Sequence, residues 1–231
     1  TVRATILIGG IFLFWVMEGV IPLFQFQYNK IRHAGLNLFF TLLTALIGFS
    51  LAGALYGVSY WANSNNFGLV NWLELPLWLE VLLGVLWLDL IGAYFAHWTE
   101  HQIPLLWRFH LIHHSDQTVD VTTGLRHHPG ETVVRISFTI MAVFLGGLSI
   151  GIVMLYQSLS AIFAHLTHAN ITMPERLDRA LSYIVITPNM HKIHHHYKLP
   201  LTDTNYGNIF ALWDRIFGTF AEVNSPKQIR Y

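Results

Sequence analysis

Ten of the chain's 14 histidines fall into four short clusters, His97-x3-His101, His110-x2-His113-His114, His165-x2-His168 and His191-x2-His194-His195. Any fold must reconcile these clusters with the strongly apolar sequence around them. Residues three and four apart share one side of a helix, so each cluster can aim two or three imidazoles at one point. Imidazole suits Fe, Zn, Cu and Ni. The expectation is therefore a two-metal site at a membrane surface.

Of the 231 residues, 53% are hydrophobic and 11% are charged, against about 25% charged in soluble domains. The reading is an all-α integral membrane protein, a single domain over 1–231 with no internal repeat or linker. Residues 1–96 supply transmembrane helices and 97–231 the histidine-rich region. Thirteen basic and 13 acidic residues leave no basic field for nucleic acid. Without cysteine there is no disulfide, thiolate or iron–sulfur site, so electrons for any redox chemistry must come from outside. The start at Thr1 rather than methionine is expected of a processed or trimmed chain.

Three stretches reach the roughly 20 residues a bilayer requires: Ala4 to Phe24, Leu36 to Trp61 and Trp72 to Phe95. The first connection carries Lys30 and Arg32, whereas the second, Asn63 to Asn71, is uncharged and bordered by Trp61 and Trp72. The positive-inside rule and the aromatic belt put the first in the cytosol and the second outside. His97 and His101 then emerge on the cytosolic face. A fourth apolar stretch, Thr132 to Ala164, must cross twice or not at all if all the histidines share one site. Its 33 residues are few for two spans of about 20. The expectation is a partly inserted, re-entrant hairpin over 132–164, turning near Gly146 to Gly151 where glycine permits a tight turn; the alternative is one long tilted helix. Beyond it lies a cytosolic helical cap, with Pro174 and Pro188 as first-turn residues and Thr187 as an N-cap.

Packing three titratable rings onto one turn is costly unless a metal keeps them neutral. The metal ligands read from the sequence are His97, His101, His110, His113, His114, His165, His168, His191, His194 and His195. Within the pair His165 and His168, one can ligate while the other supports it. Ten rings over two ions, about five each, exceed the four ligands of structural zinc, which favours a catalytic iron pair over a structural ion. The near-sequence carboxylates Glu100, Asp116, Asp203 and Asp214 are candidates to accept imidazole N–H bonds behind the ligands, or are ordinary surface and capping groups. Asp89, about 12 Å deeper on the third span, either meets a polar group of a substrate or bonds a neighbouring helix. Isolated His33 reads as an interfacial anchor or core hydrogen-bonder, and His196 as lying off the ligand face. Apolar residues from Ile209 to Phe220 suggest an amphipathic helix on the membrane or over the site, with Asn205 and Tyr206 near the ligands.

The ordered segments HWTEH, WRFHLIHHSD, RHHPGE, HANITMP, TPNMHKIHHH and DTNYGNIFALWDRIFGTF resemble the fatty acid hydroxylase and sterol desaturase superfamily, especially its bacterial sterol-desaturase-like members. The resemblance spans roughly Asp89 to Ala221. It implies histidine boxes holding a non-haem di-iron centre, with O2 as co-substrate, that hydroxylates or desaturates a C–H bond of a lipid such as a fatty acyl chain or sterol. It also implies an external electron donor, namely a ferredoxin, cytochrome b5 or reductase, and a site on the cytosolic face of a bacterial inner membrane or endoplasmic reticulum. By resemblance the boxes fall on His97 and His101, on His110, His113 and His114, on His168, and on His191, His194 and His195. Arg126, His128 and Pro129 match a further element, followed by Glu131, with His128 shaping the site or its entrance. Two rival classes remain: a metal transporter, which would string histidines along a crossing path, and a metal-dependent lipid hydrolase, which would add carboxylate ligands.

Overall fold

The computed structural model describes residues 2–223 and 228–231, with side chains from residue 5 onward; Thr1 lies outside the described residues. The order is α1 (Val2–Val20), α2 (Lys30–Ser64), α3 (Leu69–Trp72), α4 (Leu77–Gln102), α5 (Pro104–His114), α6 (Pro129–Gly146), α7 (Ile150–His168), α8 (Glu175–Leu181), α9 (Pro188–His194) and α10 (Leu212–Ile216). Among the described residues no strand forms beyond two isolated bridges, Pro22 with Ile171 and Val185 with Phe210. The described chain is thus all-α, and among its described residues four helical stretches are long and apolar enough to cross a membrane.

Those helices have lipid-like surroundings written on their outer faces. Of the 35 residues of α2 only Asn37, Leu55, Ser59 and Ala62 are buried, while Leu46 and Phe49 are 68% and 87% exposed. Water would penalise so large an apolar surface, and a bilayer does not. Inside, Leu55, Val85, Leu88, Val143, Leu148 and Ile152 close one apolar core between α2, α4, α6 and α7.

The fourth apolar stretch is a helical hairpin that turns where the glycines predict. Gly147 takes the left-handed conformation, φ 69°, and both its N–H and that of Leu148 donate to Val143 O at 2.9 and 3.1 Å, which ends α6. The arms outrun the apolar stretch at both ends: α6 has 18 residues from Pro129 and α7 has 19 ending at His168. The apex meets the loop at the far end of α2. Asn71 Nδ2 donates to Gly147 O at 3.1 Å and Ser59 Oγ to Leu148 O at 2.8 Å. A Cβ on Gly68 would lie 2.2 Å from Gly147 N, so bare backbone is needed for this contact. The hairpin therefore runs as deep as its neighbours.

The other end is built from buried polar groups. Glu18 accepts from Val121 N at 2.6 Å and Asn170 N at 2.8 Å and pairs with Lys30 at 2.6 Å, joining α1 and α2 to the loops beneath them. His33 is the core hydrogen-bonder expected of it, bridging Asp116 at 2.9 Å and Asp120 at 3.1 Å. Two C-terminal expectations change, and one of the two readings of Asp89 is borne out. Pro174 occupies the N-cap of α8 rather than its first turn. The run from Ile209 to Phe220 is helical only over Leu212–Ile216, because it is pinned from within. Asp89 accepts from Ile209 N, Phe210 N, Trp213 Nε1 and Tyr156 Oη at 3.0–3.2 Å, which also makes it a tie between helix and loop rather than a group free for a substrate.

Candidate metal centre

Four elements carry the histidines to one end of the bundle. His97 and His101 end α4, and extended Ile103 before Pro104 turns the chain back so that α5 returns with His110, His113 and His114. His168 closes α7. Thr187 caps α9 as expected, its hydroxyl accepting from Met190 N at 3.3 Å with Pro188 in the first turn. Fully buried Lys192 docks that helix, Nζ donating to the carbonyls of Thr167, His168 and Ala169 at 3.0, 2.7 and 2.9 Å. Burial pushes its pKa down to about 7, and three carbonyls at a helix C-terminus suit the ammonium that remains.

The rings form two groups. One nitrogen from each of His97, His101, His110, His114 and His194 lies within 4.8 Å of the others, and so does one from each of His113, His168, His191 and His195. Each triplet is divided: His110 and His114 go to the first group and His113 to the second, while His194 joins the first and His191 and His195 the second. Helix geometry requires this, since residues four apart differ by only about 40° around the axis whereas adjacent ones differ by about 100°. The picture of one triplet serving one point is corrected accordingly.

The donors fit metal ions. Within the groups Nε2 faces Nε2, His97 to His110 at 3.0 Å, His114 to His194 at 3.0 Å, His168 to His113 at 3.1 Å, His191 to His168 at 2.9 Å and His195 to His191 at 3.2 Å. Metal–nitrogen bonds of about 2.1 Å set neighbouring octahedral ligands about 3.0 Å apart. Behind the rings Nδ1–H donates outward: His97 to Tyr206 O at 2.9 Å, His101 to Asp203 at 3.0 Å, His110 to Glu131 at 2.9 Å, His113 to Arg126 O at 3.2 Å, His168 to Ala164 O at 2.7 Å and His194 to Thr204 O at 2.8 Å. With the proton fixed on Nδ1, the lone pairs of Nε2 converge, an arrangement that a cation stabilises. Desolvation, then neighbouring rings, holds His113, His114, His191, His194 and His195 well below the ordinary imidazole pKa. His110 falls to about 3, desolvation outweighing Glu131. Neutral rings are what ligation needs.

Nine of the ten expected ligands are brought together; His165 is not. It lies three residues before His168, faces α1, and its Nδ1 comes within 3.3 Å of where a Cβ on Gly10 would sit. His128 is the N-cap of α6, its Nδ1 accepting from Gly130 N at 3.0 Å, and is stacked on Phe109. The neighbour that matters is His127, stacked on His113 with centroids 4.9 Å apart and bonded through Nδ1 to Glu131 at 2.7 Å and through Nε2 to Gly124 O at 3.0 Å. Pro129 at the first helical position was the available signal, because it commits His128 to capping. Glu131 also holds Arg135 at 3.0 Å, and Arg135 holds Glu100 at 2.8 Å. Glu100, 3.9 Å from His110 Nδ1, thus serves the guanidinium before any imidazole. Asp116 belongs to the His33 bridge. Asp214 accepts from Tyr206 N and Gly207 N at 2.8 and 2.9 Å. Asn205 ties Met190 O to Ala221 O, so both shape the loop that supplies Tyr206 O.

A cavity of about 290 Å³ opens against both groups, touching His97, His113, His168 and His191. Across it stand Gln157, Ser160 and Asn208, with His127 and Arg135 beside them. Small Ala161 and Ala164 on the same face of α7 leave the space.

The family model described as fatty acid hydroxylase matches residues 81–219. Ornithine lipid hydroxylase OlsE of Rhizobium tropici is 31% identical over 201 residues, 86% of this chain and 59% of that protein. Alkylglycerol monooxygenase of Homo sapiens is 28% identical over 165 residues, 71% of this chain and 35% of that protein, and its Xenopus tropicalis counterpart 30% over 162 residues, 68% and 33%. The chain thus spans 59% of the first relative's length and about a third of the others'. No solved structure matches it.

Proposed function

This chain belongs to the fatty acid hydroxylase family, and from that premise we propose that it is a membrane-bound non-haem di-iron oxygenase acting on a lipid. The observation that carries the reading is the pairing of two all-imidazole groups whose Nε2 atoms face one another, with the Nδ1–H of six of the nine rings anchored outward. In the proposal His97, His101, His110, His114 and His194 hold one ion and His113, His168, His191 and His195 the other. Iron bound there would supply O2-dependent oxidation of an unactivated C–H bond, two external electrons and two protons giving an alcohol and one water, or an alkene and two waters.

The protein's own part is to orient and to exclude. Outward Nδ1–H bonds fix His97, His101, His110, His113, His168 and His194 against rotation, so most of the donor geometry is set before an ion arrives. Asp203, Glu131 and four backbone carbonyls are the fixed acceptors. The buried rings keep water away, and the lipid enters beside α7 without leaving an apolar phase. Without cysteine the described chain has no thiolate-held redox centre, and electrons reach the site from an external donor of the ferredoxin, cytochrome b5 or reductase kind. The loops at the far end, around Asn66 and Gly147, carry no Lys or Arg, whereas Lys30, Arg108, Arg126 and Arg176 cluster on the histidine side. That asymmetry supports a cytosolic metal centre with the hairpin crossing in full. The relatives' names, an ornithine lipid hydroxylase and alkylglycerol monooxygenases, favour hydroxylation of a polar lipid. The all-imidazole donors, gathered at one end and not along the spans, disfavour a hydrolase or a transporter.

Elemental analysis and Mössbauer spectroscopy of detergent-purified protein, with O2 uptake under a chemical reductant, test this. The expected result is about two coupled irons per chain, lost together with O2 uptake in His113→Ala plus His194→Ala. Full metal retention by that variant would overturn the shared centre.

A further inference from the structure

The apolar run from Ile209 to Phe220 lies deeper in the bundle than a helix resting on the membrane surface would. Between Glu80 and Glu100 the only charged residue of α4 is Asp89, about 14 Å from the first and about 17 Å from the second at 1.5 Å per residue. In a hydrocarbon layer of about 30 Å Asp89 therefore stands near the middle. It is also where the chain before α10 is tied, accepting from Ile209 N at 3.2 Å, Phe210 N at 3.1 Å and Trp213 Nε1 at 3.0 Å. The indole of Trp213 borders a cavity of about 220 Å³ whose other walls include Leu83 and Leu86 of α4 and Leu69 and Leu73 from the far end of the bundle. From that depth α10 runs towards the histidines, where Phe217 packs on Tyr94 and Phe95 with centroids 5.3 and 5.2 Å away.

The face turned away from α4 is apolar and left open by the described residues. Leu212, Ile216 and Phe217, with Tyr183 and Ile184, are 41% to 64% exposed. Tyr183 and Ile184 lie beside α10 because Ala211 N donates to Ile184 O at 3.1 Å and Val185 bridges Phe210. The irregular backbone here is provided with partners: Asp89 for Ile209 N and Phe210 N, Ile209 O for Ile186 N at 2.9 Å, and Asp214 O for Thr219 N and Phe220 N at 2.8 and 3.1 Å. Non-helical chain is tolerated at membrane depth only where its polar groups are satisfied within the protein. Arg215 does not reach outward from this face. Its guanidinium lies 3.8 Å from the ring centroid of Phe220 and 4.9 Å from that of Tyr183 and donates to Ser182 O at 3.0 Å, towards the charged helix α8. A long cation at the edge of an apolar phase folds back in this way.

We propose that α10 and the Tyr183–Ile184 turn face the acyl chains of the leaflet on the histidine side, sunk into the bilayer instead of forming part of a water-facing cap. Hydrocarbon is the occupant because a crossing helix sets the depth of the segment, and the outward side chains at that depth are apolar. The loop that gives Tyr206 O to His97 is then held from two sides, by Asp89 within and by lipid without. The inference rests on α4 crossing the membrane and not on the oxygenase reading.

The chain has no cysteine, so single-cysteine variants report cleanly. Leu212→Cys and Ile216→Cys, each carrying a nitroxide label on the full chain in phosphatidylcholine nanodiscs, are compared with Phe49→Cys on the outer face of α2 and Arg176→Cys on α8. Power-saturation electron paramagnetic resonance reads accessibility to O2, which concentrates in hydrocarbon, and to a polar nickel chelate, which stays in water. The expected ratio of O2 to nickel accessibility on Ile216→Cys and Leu212→Cys matches that on Phe49→Cys and exceeds that on Arg176→Cys by about tenfold, the effect of excluding a polar solute from the apolar phase. Ile184→Cys repeats the reading should either variant lose helical circular dichroism. A ratio like that of Arg176→Cys places the face in water and overturns the proposal. Shielding from both agents, or dipolar broadening between labels, shows a second copy covering it and overturns the proposal equally. A water-like ratio on Phe49→Cys sinks the crossing itself, and the proposal with it. Iron content decides only the oxygenase reading, whose failure would leave these ratios unchanged.

Discussion

The two ends of this bundle solve opposite problems. Around Gly68 and Gly147 backbone meets backbone in an apolar core with few side-chain hydrogen bonds. Around His110 and Glu131 almost every buried group is polar, and Glu100, Glu131, Asp120, Lys192 and Asp214 have no exposed surface. In the first region bilayer and core are equally apolar, so close packing of small residues has to provide cohesion. In the second, each desolvated group needs a partner, and two sets of converging lone pairs are placed where they could hold an ion. One end is therefore sensitive to shape and the other to charge and metal.

That contrast can be broken most severely by acid on metal-depleted protein. The buried rings of His110, His113, His114, His191, His194 and His195 have folded pKa values below the unfolded 6.5. The unfolded state binds more protons between those values, so stability is full above about pH 6.5 and falls as pH drops towards 3. At pH 5 the loss should approach ~2 kcal/mol per fully shifted ring, read as chemical denaturation midpoints. Hydrogen exchange should show the histidine end opening first. Bound metal should suppress the effect, and equal acid sensitivity of both ends would erase the distinction.

Gly147→Val attacks the other end. Its Cβ would fall 2.3 Å from Phe67 O, at φ 69°, and should cost about 3 kcal/mol or more in detergent unfolding with iron stoichiometry preserved in the folded fraction. Glu131→Gln sharpens the polar side: leaving Arg135, His127 and His110 short of a carboxylate should lower metal affinity about 10- to 100-fold by chelator competition. The smallest effect is expected from Ser59→Ala, which removes one bond to Leu148 O and about 1 kcal/mol without moving metal affinity.

Much of the apolar end was legible in advance. Spans two and three and the hairpin turn followed from hydropathy and glycine, though the hairpin's full depth did not, because Pro129–Glu131 and His165–His168 extend its arms with residues that a hydropathy reading assigns to loops. At the polar end the histidine positions were legible and their partners were not. His165 has the same helical spacing to His168 that His191 has to His194, yet it faces α1, a direction that depends on which helix lies opposite. Asp89, read as a group for a substrate or a helix, serves the loop at Ile209 and Phe210, 120 residues away.

The sequence by itself determined an all-helical membrane chain, the family and nine of the ten imidazoles that the fold gathers, since periodicity and hydropathy are properties of near neighbours and every helix expresses them alike. Only the tertiary structure decided how the triplets divide, that His127 rather than His128 stacks on His113, and that the cavity beside them is polar. Those outcomes depend on which elements meet across the bundle, where a buried polar group is stabilised by whatever partner packing sets within about 3 Å of it.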